Sequence, residues 1–311
     1  MNAKVPEGIK IYIRQPTGFE TQPSMVCLLK KALYGLRKAP LWWFETVCDA
    51  LKKYDFEPLD AECCIFKNET LKVLLIIYVD DLCIASADEA MINHVKDLLA
   101  ELFALKCMGP VHEFLGMRVT RDRERGLLWL SQEGYIEKII EKFHYQDLSP
   151  VKTPFNTSAP SWPLPYEYEP MMDHRTEYLS KSGSVNYVSS GTRPDITYIV
   201  SRLCEGNARP GKHHFAAMKH LFRYLIGIKG LAIVIGGMTS PGLHLHCYSD
   251  ASLADVIGTR QSTGGYIVFI AGAPIHWKSG KQTMVVLLST EVEFINLTPS
   301  GVALLWLARF L

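Results

Sequence analysis

Apolar side chains recur along the first half of the chain with two different spacings. Between residues 41 and 56 they stand three or four positions apart, which predicts an amphipathic helix. Two short apolar runs between residues 71 and 87 predict a β-hairpin around a pair of adjacent aspartates. A second amphipathic helix follows, and Ser86 with Glu89 is expected to form its capping box. Helices that alternate with hairpins in this way predict an α+β fold.

The second half of the chain shows the same two spacings. Its predicted elements are strands at residues 113–120, 126–130, 243–251, 263–272 and 274–278, and helices from Ser131, at 193–204, at 213–226 and from Thr290. Six prolines between residues 150 and 170 exclude a regular helix or a central strand and predict a boundary there. Pro299 and Gly301 are expected to interrupt the last helix, because an interior proline costs about 3 kcal/mol.

The composition is that of a globular protein with a full core. The chain has 311 residues, of which 48% are hydrophobic, and this length suggests two domains. The formal charge of +1 argues against a uniformly basic nucleic-acid binder, although no acidic residue occurs between Gly206 and Ser249. The eight cysteines include no CxxC pair, and the adjacent Cys63 and Cys64 could form a disulfide only with strain. Reduced thiols, and an apolar run at 73–79 that is too short to cross a bilayer, predict a soluble intracellular protein without membrane contact.

Asp80 and Asp81 are the first candidates for chemistry. Two adjacent carboxylates between apolar strands must lie at an exposed turn or be neutralised by cations, because burying them alone is costly. A turn explains them, since Asp tolerates turn geometry. A pair of Mg²⁺ ions also explains them, since two-metal chemistry needs several carboxylate oxygens. The residues alone leave both explanations open.

Three further segments have two explanations each. Asp250 follows an alternating strand, where a carboxylate is either functional or turn-forming. Glu293 stands three residues after Thr290, which is a capping-box spacing, so it either caps the last helix or has a functional role. Lys219 and Arg223 lie at positions i and i+4 of a helix with no acidic partner, and they form either a solvated basic face or a surface that follows a nucleic-acid backbone.

Several motifs occur in one order along the chain and resemble a known family. The first half contains LYGLRKAP at residues 33–40, YVDD at 78–81, FLGM at 114–117 and LSQEGYIEKII at 130–140. Together these motifs resemble the reverse transcriptase of copia-type retrotransposon polyproteins. The block at residues 249–294, with SDASLADV, TRQSTGGYIVF, PIHWKSGKQ and STEVEF, resembles the RNase H domain of the same polyproteins.

This resemblance implies an organisation in three segments. A partial reverse transcriptase, with a palm of antiparallel hairpins and a remnant of the fingers, would occupy residues 1–150. A linker and a helical, thumb-like connection would occupy residues 151–240. A truncated RNase H-like α/β unit would occupy residues 241–311.

The resemblance also implies which carboxylates bind metal. Asp80 and Asp81 would hold the Mg²⁺ ions of DNA synthesis. Asp250 and Glu293 would hold the Mg²⁺ ions that activate water against an RNA strand paired to DNA. All four would therefore be both catalytic residues and metal ligands.

Four residues of the polymerase motifs would contact nucleotides or nucleic acid on the same resemblance. Tyr78 would lie beside the primer terminus, and Gly35 would let the backbone approach the incoming nucleotide closely. Arg37 and Lys38 belong to the segment that contacts template and nucleotide, although both could be ordinary surface charges. The implied partners are an RNA template, a DNA primer, an RNA–DNA hybrid and nucleoside triphosphates.

Each implied metal site lacks one carboxylate within these 311 residues. In the family, one polymerase aspartate comes shortly before the segment that matches the start of this sequence, and one RNase H aspartate comes after the segment that matches its end. Loss of a ligand misplaces the reacting oxygens, so catalysis is expected to be impaired. The alternatives are a non-catalytic nucleic-acid-binding remnant that uses Lys219 and Arg223, and an inert translation product.

The expected impairment is testable by primer extension. The chain of these 311 residues, supplied with Mg²⁺, an RNA template and a DNA primer, should give synthesis that is several orders of magnitude below that of an intact polymerase, because each metal site is short of one ligand. Gel analysis of the extended primer measures the yield. Robust synthesis would contradict the expectation.

Overall fold

The computed structural model describes residues 3–22, 24–79, 81–156, 168–237, 244–256 and 258–310. Asp80 and residues 157–167 of the proline-rich stretch thus lie outside the described residues. The chain forms two compact units, Met1–Val111 and His112–Arg309. Both units combine helices with antiparallel sheets, which confirms the predicted α+β class. No helix in the described part of the chain is long and apolar enough to cross a membrane.

The first unit contains a two-stranded ribbon, a four-stranded antiparallel sheet and two helices. The ribbon pairs β1 (Tyr12–Arg14) with β2 (Val26–Leu28). The sheet has the order β3 (Glu57–Pro58), β4 (Ile65–Asn68), β5 (Val73–Tyr78), β6 (Asp81–Ala85). The helices are α1 (Ala39–Lys52) and α2 (Glu89–Leu102). The predicted hairpin is therefore β5–β6, and the helix predicted at 41–56 is α1.

One face of the four-stranded sheet forms the core of the first unit. Val73, Leu75 and Ile77 alternate along β5 and are all buried, as the period of two predicts. Val95 and Leu99, one turn apart on α2, belong to the same buried cluster. Full burial of such a side chain stabilises the fold by about 1.5–3 kcal/mol, so this cluster fixes β5 and the hairpin that it begins.

The second unit contains two sheets and five helices within the described residues. The first sheet has the order β10 (Ile233–Gly236), β9 (Leu127–Ser131), β8 (Met117–Asp122), β7 (Glu113–Phe114). Four helices, α3 (Glu133–Lys142), α4 (Arg175–Gly191), α5 (Thr197–Glu205) and α6 (Lys212–Gly227), share one buried apolar core. The second sheet is an antiparallel meander of β11 (Leu245–Ser252), β12 (Thr263–Ile270) and β13 (Ala273–Lys281), and α7 (Ser289–Ala308) packs on it.

An ion pair with a buried arginine lies beside the helical core. Arg193 is 1% exposed, and its Nε and Nη2 donate to the two carboxylate oxygens of Asp195 at 2.8 and 2.7 Å. Its Nη1 donates to the carbonyl of Ile228 at 3.2 Å, and the hydroxyl of Tyr224 donates to Asp195 at 2.9 Å. Burial acts to raise the pKa of Asp195, but these hydrogen bonds and the arginine charge outweigh it and lower that pKa.

The capping box predicted for α2 is wrong. The N-cap residue is Asp88, whose carboxylate accepts the amide of Ala90 at 2.8 Å. Ser86 instead accepts the amide of Asp88 at 3.2 Å and donates to the carbonyl of Lys72 at 3.0 Å. Asp is as good a cap as Ser, so the closer candidate takes the position.

The single strand predicted at 113–120 is a short hairpin of β7 and β8. Leu115 and Gly116 form its turn, with φ of 51° and 70°. The hydroxyl of Tyr187 donates to the carbonyl of Leu115 at 2.6 Å, and a Cβ at position 116 would lie 2.7 Å from that hydroxyl. Apolar periodicity does not reveal a turn whose stability comes from a residue that is distant in sequence.

Two elements of the second unit lack a sequence signal. The buried face of helix α4 includes the polar residues Lys181, Ser182, Ser184 and Ser189. The spacing of apolar residues therefore does not predict this helix. Lys181 is tolerated because its ammonium donates to the Glu177 carboxylate at 2.5 Å, and it also donates to a tyrosine hydroxyl. Strand β10 has only four residues, and its pairing with β9 defines it.

Helix α7 corrects a further expectation. Pro299 and Gly301 were expected to interrupt it, yet the helix continues from Ser289 to Ala308. Ser300 donates to the carbonyls of Asn296 and Leu297 at 2.8 and 3.0 Å. Packing on β11 and β12 outweighs the local cost of the proline.

Substitution of Arg193 by Ala should destabilise the second unit by about 1–3 kcal/mol, because removal of the buried guanidinium leaves the carbonyl of Ile228 and the Asp195 carboxylate without this donor. Since the native pKa of Asp195 is depressed, its stabilisation is present above the unfolded pKa and is lost as the pH falls through the folded pKa. The difference between wild type and variant should therefore shrink in acid. Urea unfolding at several pH values measures both effects.

Arg125→Ala is the matched control, because Arg125 also pairs with an aspartate but its side chain is 78% exposed. It should change stability by no more than about 0.5 kcal/mol. Equal losses in the two variants would show that burial of Arg193 has no special role.

Candidate functional site

The β5–β6 hairpin places the YVDD residues at its tip. Tyr78 pairs with Asp81 as the last pair of the ladder, and Val79 lies in the connecting turn. Tyr78 is 56% exposed, Val79 is 49% exposed, and Asp81 is also exposed. Asp81 is the first residue of β6, so the ladder fixes its backbone while its carboxylate remains accessible.

Val79 has a backbone conformation that β-branched residues rarely adopt. Its φ is +54°, and such strain costs on the order of 1–3 kcal/mol. Its carbonyl accepts a hydrogen bond from Nε1 of Trp43 at 2.8 Å. The Trp43 ring meets Phe103 edge-on, with 5.6 Å between the ring centroids. A side chain of α1 therefore holds the hairpin tip in a turn that would otherwise be unfavourable.

The LYGLRKAP loop leads directly into α1. Gly35 has φ of +95°, where an L-residue would be strained, although a Cβ there would meet no atom within 4 Å. Arg37 and Lys38 are exposed, and Lys38 is the N-cap residue of α1. Lys38 precedes Trp43 by five positions, or about 7.5 Å of helix. The loop and the hairpin tip thus both lie near the first turns of α1.

The polar end of β11 is connected to α7 by one buried side chain. Asn296 donates from Nδ2 to Ser249 Oγ and to the carbonyls of Asp250 and Gly265, each at 2.8 Å. A Cβ at Gly264 would lie 2.2 Å from Asn296 Oδ1, so the close contact requires glycine there. These contacts fix the backbone of Asp250 against the helix.

The carboxylate of Asp250 remains exposed. Burial alternates along β11, so Asp250 shares its face with the exposed Tyr248 and His246, as its sequence predicts. Ser249 points the other way and contacts α7. The main chain of Asp250, and not its side chain, therefore carries the described contact with the helix.

Glu293 is half-buried and lies one turn before Asn296 on α7. The alternative role of Glu293 as a helix cap is wrong. Helix α7 begins at Ser289 with Leu288 as its N-cap residue, and no side chain caps it. Glu293 therefore lies beyond the first turn, where its carboxylate is not needed for the helix end.

The basic face of α6 is only partly available. Lys219 is exposed, whereas Arg223 is half-buried and its Nε donates to the carbonyl of Ser149 at 2.7 Å. His220 makes a similar contact with the carbonyl of Thr153 at 2.9 Å. Arg223 thus connects the backbone at Ser149 to α6, whether or not it also contacts a ligand.

Carboxylate oxygens are the donors that Mg²⁺ prefers, so Asp81, Asp250 and Glu293 have suitable chemistry. Within the described residues, which omit Asp80, these carboxylates do not form a cluster of three metal-binding side chains. The one such cluster in the described part of the chain is that of Glu62, Cys63 and Cys64.

Residues 1–157, half of the chain, match the family described as reverse transcriptase (RNA-dependent DNA polymerase). The chain belongs to this reverse transcriptase family. This match covers the LYGLRKAP loop, the hairpin tip and the strands β7 to β9. No solved structure matches the chain.

Several relatives of the chain are transposon proteins. The retrovirus-related Pol polyprotein from transposon TNT 1-94 of Nicotiana tabacum is 37% identical over 97% of this chain and 23% of that protein. The corresponding polyprotein from transposon RE1 of Arabidopsis thaliana is 34% identical over 97% of this chain and 20% of that protein. The putative transposon Ty5-1 protein of Saccharomyces cerevisiae is 31% identical over 92% of each chain. The predicted copia-type origin is confirmed, and the chain spans about a fifth to a quarter of the plant polyproteins.

Sequence patterns did not single out two residues that support these sites. Trp43 directly follows the buried Trp42 in the sequence. Its role became clear only from the hydrogen bond that it donates to Val79. Asn296 is a buried amide on the same face of α7 as the buried Val292 and Ala303. A polar residue on a predicted apolar face was the available signal, because it must find partners when it is buried.

Substitution of Trp43 by Phe should keep the ring contact and remove the hydrogen bond to Val79. The expected loss of stability in the first unit is about 1 kcal/mol, with faster amide exchange in residues 78–85. Urea unfolding and hydrogen exchange measure these effects. Trp129→Phe, in the second unit, is the control and should leave exchange in the hairpin unchanged. Unchanged exchange in the Trp43 variant would contradict the role of the bond.

Substitution of Asn296 by Asp should be more harmful than substitution by Ala. The carboxylate would have the same shape, but it would face the carbonyl oxygens of Asp250 and Gly265, which cannot donate to it. Loss of the donor in the Ala variant should cost about 1–3 kcal/mol, and the Asp variant should exceed that value. Thermal unfolding at neutral pH ranks the two variants, and an Asp variant as stable as wild type would contradict the contact.

Proposed function

We propose that this chain supplies catalytic carboxylates of a copia-type enzyme that copies RNA into DNA. The observation that carries the proposal is the exposed Asp81, which stands at a hairpin tip that Trp43 fixes, in a chain of the reverse transcriptase family. An ordinary turn would not need a strained Val79 held by an indole. Strain of this kind is typical of functional sites, where the surrounding structure maintains it.

In the proposed polymerase, Asp80 and Asp81 would hold Mg²⁺ through their carboxylate oxygens. The ions would supply positive charge that favours ionisation of the primer 3′-hydroxyl and stabilises the leaving pyrophosphate. The exposed ring of Tyr78 would contact the primer terminus, and the β5–β6 ladder orients Asp81 relative to that ring. Rigid placement matters because small displacements of the reacting groups reduce rates strongly.

The same proposal assigns nucleotide contacts to the loop before α1. Arg37 and Lys38 are exposed cations that attract the phosphates of template and nucleoside triphosphate. Gly35 presents bare backbone, since space around its Cα is open and its φ of +95° favours glycine. The proximity of this loop to Trp43 along α1 supports its assignment to the same site.

For the second unit we propose an RNase H activity, with Asp250 and Glu293 as metal ligands that act on the RNA strand of an RNA–DNA hybrid. The support is the order of β11, β12, β13 and α7, with Asn296 joining α7 to the backbone of Asp250. Glu293 is not used as a helix cap, which leaves its carboxylate for a ligand. Exposed Lys219, on a segment without acidic residues, provides a contact for the nucleic-acid backbone.

Metal-dependent cleavage of the polypeptide tests both proposals without requiring turnover. The chain, bound to an RNA–DNA template–primer, is treated with Fe²⁺, ascorbate and peroxide, so that radicals cut the backbone near bound iron. Iron in place of Mg²⁺ should cut near residues 78–81 and separately near residue 250, because carboxylates there hold the ion. Mass spectrometry of the fragments locates the cuts.

Variants distinguish the two sites. The double variant Asp80→Asn, Asp81→Asn should lose the first group of cuts and keep the second, and Asp250→Asn should do the reverse. Asp122→Asn, at an exposed turn of the β8–β9 hairpin, is the control and should lose neither. Cuts that are absent from both segments, or that persist in the matching variants, would reject the assignments.

A further inference from the structure

A second set of metal-binding side chains occurs in the loop between β3 and β4. The ligand atoms of Glu62, Cys63 and Cys64 all lie within 4.8 Å of one another. Cys63 Sγ is 3.9 Å from Glu62 Oε1. Cys63 is exposed, and the other two residues are half-buried, so an ion can reach the group from solvent. The polymerase proposal uses none of these residues.

The backbone holds these three residues in place. The amide of Glu62 donates to the carbonyl of Leu59 at 3.2 Å, and the amide of Ile65 donates to the carbonyl of Glu62 at 3.1 Å. The carbonyl of Cys64 accepts the amide of Ile77 at 2.9 Å, which joins the group to β5. Glu62 Oε1 also accepts the amide of Cys64 at 3.3 Å. A ligand set that is ordered beforehand loses less entropy when it binds an ion.

The donor atoms select the kind of ion. Two sulfurs with one carboxylate oxygen suit Zn²⁺ or Cd²⁺, whereas Mg²⁺ and Ca²⁺ prefer oxygen donors alone. Tetrahedral Zn²⁺ has Zn–S distances of about 2.3 Å, which the present spacing can reach with small side-chain movements. Three protein ligands leave a fourth position for water.

The Cys64 thiol keeps its proton until an ion binds. Burial, followed by charge and hydrogen bonding from Cys63 and Glu62, raises the pKa of this thiol to about 11. Cys63 also contributes to a raised pKa of Cys48 on α1, behind burial of that thiol. An ion that binds here must therefore displace a thiol proton.

We propose that Glu62, Cys63 and Cys64 form a binding site for one thiophilic divalent cation of the Zn²⁺ or Cd²⁺ class. The ion is held by two thiolates and one carboxylate oxygen, and its binding releases the thiol protons to solvent. The site adjoins the strand that carries Tyr78, because Cys64 pairs with Ile77. It is independent of any polymerase or RNase H activity.

The test is a metal titration of the whole reduced chain after removal of metals with a chelator. Cd²⁺ should produce thiolate-to-metal charge-transfer absorption that saturates at about one equivalent, and Zn²⁺ should displace it. Cys63→Ser and Cys64→Ser should each weaken binding on the order of tenfold or more, since each removes a ligand. Glu62→Gln should weaken binding while the sulfur absorption remains.

Cys107→Ser is the matched control, because Cys107 is an exposed thiol of the same unit outside the group. Its Cd²⁺ absorption and affinity should equal those of wild type. Circular dichroism confirms that each variant is folded, and the exposed Cys63 provides a variant that should not disturb packing. The proposal is overturned if wild type gives no thiolate absorption, if Cys63→Ser binds as tightly as wild type, or if Cys107→Ser loses binding equally.

Discussion

Ionised carboxylates cannot be placed inside an apolar core without partners, so a chain that presents them on a sheet must hold an exposed edge or turn rigid by other means. At the β5–β6 hairpin, the ladder fixes Tyr78 and Asp81, and the indole of Trp43 fixes the carbonyl of Val79. Val73, Leu75 and Ile77 anchor the same strand in the core. The buried residues of β5 thus hold in place the exposed residues at the end of the same strand.

The second unit meets the same constraint with different chemistry. Asn296 uses one amide group to satisfy three oxygens at the junction of β11, β12 and α7, and this holds the backbone of Asp250 in register. Arg193 satisfies Asp195 and the carbonyl of Ile228 beside the helical core. Asn296 and Arg193 are both buried donors with several partners, and each determines the local backbone geometry. At β11 the carboxylate of Asp250, the proposed ligand, stays accessible to solvent.

Local patterns predicted much of this fold from the sequence. Alternation of apolar residues located β5 and β6, and helical spacing located α1 and α6, because each of these elements buries one apolar face. Helix α4 was missed because buried serines and Lys181 hide its inner face. The turn at Leu115 depends on a hydroxyl from Tyr187, 72 residues away, which no local pattern contains.

The candidate site was predictable to a similar degree. The apolar runs placed Asp81 correctly at a hairpin, but no pattern in the sequence distinguishes Trp43 from Trp42 as the residue that contacts Val79. Likewise, the spacing of Thr290 and Glu293 suggested a cap, whereas the N-cap residue is Leu288, two positions before Thr290. Tertiary packing decides such small shifts at a helix end, and spacing alone does not describe them.

Pro299 divides α7 into two halves that differ in how firmly they are held. Proline has no amide hydrogen, so the carbonyl of Ile295 lacks its regular helical donor, and bending costs less at that point than elsewhere along the helix. The half that carries Glu293 is fastened to the sheet by Asn296. After the proline, Ser300 and Ala303 remain buried, so bending is confined to the exposed end of the helix around Leu305 and leaves the acidic residue in place.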